Sequence, residues 1–173
     1  MAQTLEISGV EYQIGSPNMD AVGLPVSLTD LPATLEVEGA TLLRRSSFHV
    51  TLVAVGHLAA RQGLNAASFV PQVLESFQRY VAKTPIAFER FTGEYRLAEE
   101  GELRSVVAMC DVGNLREFLL RVGKEFDIKP EYPPTHVTLY TLQQDAGIFL
   151  TTEEELEARS HVVTVPELRL SAN

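Results

Sequence analysis

Apolar and polar residues alternate over Leu5-Glu6-Ile7 and again over Val10-Glu11-Tyr12-Gln13-Ile14, with Ser8-Gly9 between them. That is the pattern of two half-buried strands joined by a turn or bulge. Gly15-Ser16-Pro17-Asn18 breaks it, and Pro25, Pro32 and the loop formers around Thr29-Asp30 predict a long irregular connection or flap before alternation resumes at Thr34-Leu35-Glu36-Val37-Glu38. Between Thr41 and Val55 a period of two places Phe48, Val50, Leu52 and Ala54 on one face, and Arg45, Ser47, His49 and Thr51 on the other. Gly56 and Gly63 predict a turn. Asn65 or Ser68 then caps a helix whose residues Val70, Val73, Leu74, Phe77 and Val81 recur at helical spacing, with Pro71 in its first turn.

Two strands, Ile86 to Leu97 and Leu103 to Cys110, flank the polar turn Ala98–Glu102. Asn114 with Glu117, and later Thr152 with Glu155, have capping-box spacing. The first opens a helix with Leu115, Phe118, Leu119, Val122 and Phe126 on one stripe, and the second a short helix ending near Ser160. Val162 to Leu170 reads as a last strand, at an edge or bulge because of Pro166. The order of elements predicts an α+β domain with mostly antiparallel sheets. Residues 1–40 are the part of uncertain role.

Composition changes this picture little. A chain of 173 residues that is 45% hydrophobic and 21% charged suits one domain with a sizeable core. The net charge of −9 argues against long nucleic acid as a partner, but not against a local cationic pocket for a single phosphate. The one cysteine, Cys110, lies in a strand-like apolar run and is expected to be a buried, inert thiol. With no apolar stretch long enough to span a membrane and no leader-like N-terminus, the expected setting is the reducing cytoplasm, and the expected state a monomer.

The chemistry is suggested by a repeat. His136-Val137-Thr138-Leu139 duplicates His49-Val50-Thr51-Leu52, so two of the four histidines share one four-residue setting, one in each half of the chain. On a strand, a histidine and a threonine two residues apart share a face. Two such strands brought side by side would supply two imidazoles and two hydroxyls to one phosphate. One imidazole can take a proton and the other can give one near neutral pH, while the hydroxyls hold phosphate oxygens. No metal or cofactor is needed, and neither motif carries a second ligand at zinc spacing.

The paired His-x-Thr-hydrophobic motifs resemble those of the 2H phosphoesterase superfamily, which includes the bacterial RNA 2′,3′-cyclic phosphodiesterases once called 2′–5′ RNA ligases. The resemblance covers residues 41–142 and reaches the last predicted strand. It implies a bilobal fold: a pseudo-twofold pair of mostly antiparallel sheets with flanking helices, one motif in each lobe and a central cleft. It also implies catalysis by His49 and His136, with phosphate binding by Thr51 and Thr138. Members of the family suggest His136 as base, His49 as acid and a 2′-phosphate product; the residues themselves leave either histidine open to either role. The expected activity is metal-independent opening of a 2′,3′-cyclic phosphate on a small nucleotide or RNA terminus. The alternatives are cleavage at an RNA 3′ end or a 2′–5′ linkage, and a nucleotide-binding module without turnover. Arg45, Tyr132 and Tyr140 are candidate substrate contacts, Tyr140 standing where several relatives carry a basic residue.

Overall fold

Hydrogen-bond pairing of the alternating segments, rather than their order in sequence, sets the architecture of the computed structural model, which describes residues 3–15 and 20–170. Of the expected break at 15–18, Ser16, Pro17 and Asn18 lie outside the described residues. Among the described residues ten strands form an open antiparallel sheet accompanied by four helices, an α+β fold as the element order predicts. The chain divides into two compact units, each made of three separated segments.

The first unit comprises Met1–Pro25, Thr51–Phe88 and Val112–Pro133. Strands β1 (Gln3–Ile7) and β2 (Val10–Ile14) form the expected hairpin, with φ of 54° at Ser8 and 79° at Gly9, the two positive values that a type I′ turn requires. The expected flap is interrupted by a strand, β3 (Ala21–Pro25), antiparallel to β2. Four of its five residues are buried, so it shows no polar alternation to betray it. Gly56 does not mark a turn either. It lies inside helix α1 (Val55–Arg61), which buries Val55, Leu58 and Ala59. Gly63 ends that helix at φ 67°, where its N–H meets Ala60 O and that of Leu64 meets Ala59 O, the paired bonds of a Schellman motif.

Helix α2 (Ala66–Val81) starts after Asn65 as expected, so Pro71 falls inside the helix rather than in its first turn. Helix α3 (Leu115–Glu125) follows Asn114, but no capping box forms. Asn114 is left-handed, and its side-chain amide donates to Pro85 O at 2.8 Å. The apolar stripes of α2 and α3 meet through edge-on rings, Phe77 on Phe118 at 5.4 Å and Phe69 on Phe126 at 5.2 Å. Gly123 lets the chain turn back onto α3, since a Cβ there would lie 2.7 Å from the Pro130 ring.

The second unit comprises Val26–Val50, Glu89–Asp111 and Pro134–Asn173. Strands β4 (Thr34–Val37) and β5 (Ala40–Arg44) form a hairpin over Glu38-Gly39. The chain then breaks its extended run, and strand β6 (His49–Ala54) begins at the first motif. The unit boundary falls inside β6, after Val50, so the two motifs are not housed one per unit: His49 and the whole second motif belong to the second unit. Strand β7 (Ala87–Glu100) and strand β8 (Leu103–Gly113) turn over only Gly101-Glu102, tighter than the expected five-residue turn. Strand β9 (His136–Thr141) carries the second motif.

Helix α4 (Glu153–Arg159) is capped by Thr152, whose side chain accepts from Glu155 N, as the spacing predicts. Strand β10 spans Ser160–Val163 and pairs with β7, earlier than the expected 162–170. Buried Arg96 fixes its start, donating from Nε to Ser160 Oγ at 2.8 Å. A small core of Ala98, Val107, Ile148, Leu150 and Leu156, joined by Leu103 and Met109, holds the 148–156 segment against β7 and β8.

Within the first unit, Tyr12 is wholly buried, its ring edge-on to Phe77 at 5.1 Å. Its hydroxyl donates to Ile86 O at 2.8 Å and accepts from Ile86 N at 3.0 Å. Tyr12→Phe keeps the ring but leaves two buried backbone groups without a partner, so it is expected to cost roughly 1–3 kcal/mol, read as a lower urea midpoint at unchanged slope.

Candidate functional site

The site is built on the backbone register between β6 and β9. The strands run antiparallel with Val50 opposite Val137, both fully buried. One step along each strand the side chains point to the other face, so His49 stands opposite Thr138. Opposed Cβ atoms on one face lie about 5 Å apart and diagonal neighbours about 7–8 Å apart. His136, two residues before Thr138 on that face, is therefore the diagonal neighbour of His49. Thr51 stands two residues beyond His49 on the same face of β6. The two strands share one burial pattern, with the histidine and threonine part-exposed and the other four residues buried.

Across the other edge of β9, Met109 pairs with His136 and Val107 with Thr138. This neighbour is apolar and belongs to the core of the second unit. Burial therefore holds the pKa of His136 below the ordinary imidazole value of about 6.5. A backbone hydrogen bond works against that shift: Nδ1 lies 2.7 Å from Pro134 O. A carbonyl can only accept, so Nδ1 carries the proton and the neutral ring presents the Nε2 lone pair. His49 is also lowered, first by burial, then by the positive charge of Arg45, then by His136. Both imidazoles therefore rest neutral at pH 7.

Arg45 is not on the strand of His49, as the period-2 reading expected, but in the break between β5 and β6. Its backbone N–H donates to Leu139 O at 2.9 Å, and its Nε lies 3.6 Å from Asp145 Oδ1. Asp145 receives the backbone N–H and hydroxyl of Ser46 at 3.0 and 2.7 Å, which hold its carboxyl below the ordinary carboxylate range. Asp145 and Ser46 carried no sequence signal, being polar loop residues far apart in the chain.

One of the candidate substrate contacts changes role. Tyr140, expected beside His136 and Thr138, is 0% exposed and donates its hydroxyl to Pro32 O at 2.8 Å. The cause is a β-bulge: Thr138 pairs with Val107 and Tyr140 with Val106, leaving Leu139 as an extra residue that breaks the alternation. Tyr140 is thus a packing residue. Tyr132, in the first unit, lies under the Arg116 guanidinium at 4.1 Å, a cation–π contact that occupies one ring face.

Cys110 is buried as expected, its thiol pushed up to about 12 by burial. Thr135, next to His136, donates to Cys110 O at 2.6 Å and fixes the entry into β9. Among the described residues no group of three or more His, Cys, Asp or Glu side chains is placed to hold a metal. No described helix is long and apolar enough to cross a membrane.

No family model, curated protein or solved structure matches the chain.

Tyr140→Phe removes the bond to Pro32 and is expected to cost about 1 kcal/mol of stability. Thermal melting of the variant beside the parent chain checks this.

Proposed function

We propose that the chain is a metal-independent phosphodiesterase of the 2H type that opens 2′,3′-cyclic phosphates of nucleotides or RNA ends. The observation that carries this reading is the antiparallel pairing of Val50 with Val137, from which strand alternation puts His49 opposite Thr138 and diagonal to His136 on one face. Side chains so spaced leave room for one phosphate, with an imidazole on either side of it and a hydroxyl within reach of its oxygens. The sequence equivalence of the motifs makes Thr51 the counterpart of Thr138. With a net charge of −9, a small nucleotide or a chain terminus suits the site better than a long polyanion. A buried thiol as the one cysteine suits the reducing cytoplasm.

The environments of the two histidines favour different roles. A ring whose Nδ1–H is held by a carbonyl is steadied as it becomes an imidazolium, so His136 suits the base that takes a proton from water at Nε2. An imidazolium beside Arg45 gives up its proton readily, so His49 suits the acid. Water oxygen bonds to phosphorus, one ring P–O bond breaks, and the proton from His49 goes to the leaving ribose oxygen. The hydroxyls of Thr51 and Thr138 donate to phosphate oxygens as charge builds on them.

His49→Ala and His136→Ala are each expected to lower kcat/KM for a 2′,3′-cyclic nucleotide by about 10²–10⁴, with no effect of chelator. Thr51→Ala and Thr138→Ala should each cost about 10–10³. Full activity in either histidine variant would remove the mechanism.

The pH profile is a separate test. The acid must be protonated in the free enzyme, and that form is lost as pH rises through the depressed value of His49. The alkaline limb of log kcat/KM should therefore lie below about pH 6.5 and move up in Arg45→Met. A limb well above that value in the parent enzyme would exclude His49 as the acid.

A further inference from the structure

On the reading that the His–Thr face holds a phosphate ester, we propose that Arg45 is a further cationic contact for that phosphate. In the same proposal Asp145 and Ser46 anchor it beside His49, and the space left by Gly147 keeps it there. The Arg45 side chain is only 17% exposed, and its Nε is buried without a hydrogen bond. Asp145 faces it from 3.6 Å, beyond hydrogen-bond distance, while its two carboxylate oxygens each accept a bond from Ser46. The guanidinium thus has a counter-charge nearby, yet its buried Nε–H is without a hydrogen bond, an arrangement that costs stability.

Its position is fixed from several sides. The backbone N–H is tied to Leu139 O in the bulge of β9, and Ser46, the next residue, is tied to Asp145. Gly147 supplies the space: a Cβ there would lie 3.0 Å from Arg45 Nη1. Loop 143–147 thus helps to hold a permanent cation, Arg45, near the first histidine. The charge is felt at the site, since it is among the causes that depress His49. A planar fork with donors to spare suits two oxygens of one phosphate.

The test is calorimetric titration of the full chain with inorganic phosphate, with kinetics on a 2′,3′-cyclic nucleotide alongside. Arg45→Met keeps most of the stem and should weaken phosphate binding by about 10–100-fold, with the kinetic loss carried mainly by KM. Arg45→Lys restores the charge without the fork and should recover part of that affinity, which a purely structural defect would not allow. Gly147→Ala alters no charge, pushes Nη1 aside and should weaken binding several-fold.

Wild-type affinity in Arg45→Met, or no phosphate binding by the parent chain, would overturn the contact. Wild-type affinity in Gly147→Ala would overturn the role of that glycine. If the parent binds phosphate through Arg45 but turns over no cyclic phosphate, the contact stands and the hydrolase reading falls. If turnover depends on both histidines but Arg45→Met changes neither KM nor phosphate affinity, the contact falls and the hydrolase reading stands.

Discussion

Strand β9 has to satisfy its backbone on two edges with three partners, and the second unit depends on how it does so. One edge pairs with β8 over Ser105 to Met109. The other pairs with β6 at Val137 and with β5 at Tyr140 and Thr141. Buried N–H and C=O groups cannot go unpaired at small cost, so the switch between β6 and β5 must leave no gap. The bulge at Leu139 makes the switch, and the carbonyl of Leu139 accepts the Arg45 N–H at 2.9 Å between the two ladders. One extra residue therefore turns Tyr140 into the core, brings Arg45 to the motif, and leaves the stretch before it free to align His49 with Thr138.

The same dependence explains which features could be read from the residues. Half-buried strands show period two, so β1, β2 and β4 were legible, and the long apolar stripes exposed α2 and α3. A strand buried on both faces shows no period, which hid β3 behind Pro25. Gly56 hid α1, because a glycine in a first turn weakens a helix without ending it. The cap expected at Asn114 failed for a tertiary reason: its amide had a better partner in Pro85 O.

For the candidate site, the repeated tetrapeptide named four residues, and the register brings the three that lie in the second unit onto one face. Extrapolating the alternation one step further to Tyr140 failed, since a bulge is decided by the neighbouring strands and leaves no mark in the strand's own sequence. Asp145 and Gly147 were equally silent. Their contribution is to fix the reach of a side chain about a hundred residues away, and loop residues acting through space carry no period at all.

For the proposed acid–base reaction, near-identical motifs also raise a chemical problem, because it needs two groups that behave differently. The burial patterns of β6 and β9 are the same, and burial alone would lower both imidazoles alike. The surroundings supply the difference. Pro134, just before the second motif, offers its carbonyl to His136 Nδ1, which stabilises the protonated ring. The break before the first motif instead brings a guanidinium, which destabilises it at His49. Bound phosphate would offset the guanidinium more than the carbonyl, so the substrate itself would raise His49 toward the protonated state while His136 kept its open lone pair. In the proposed reaction, then, the neutral resting pair becomes an acid and a base when the anion arrives, and the asymmetry that makes this work lies in the residues preceding each motif rather than in the repeat.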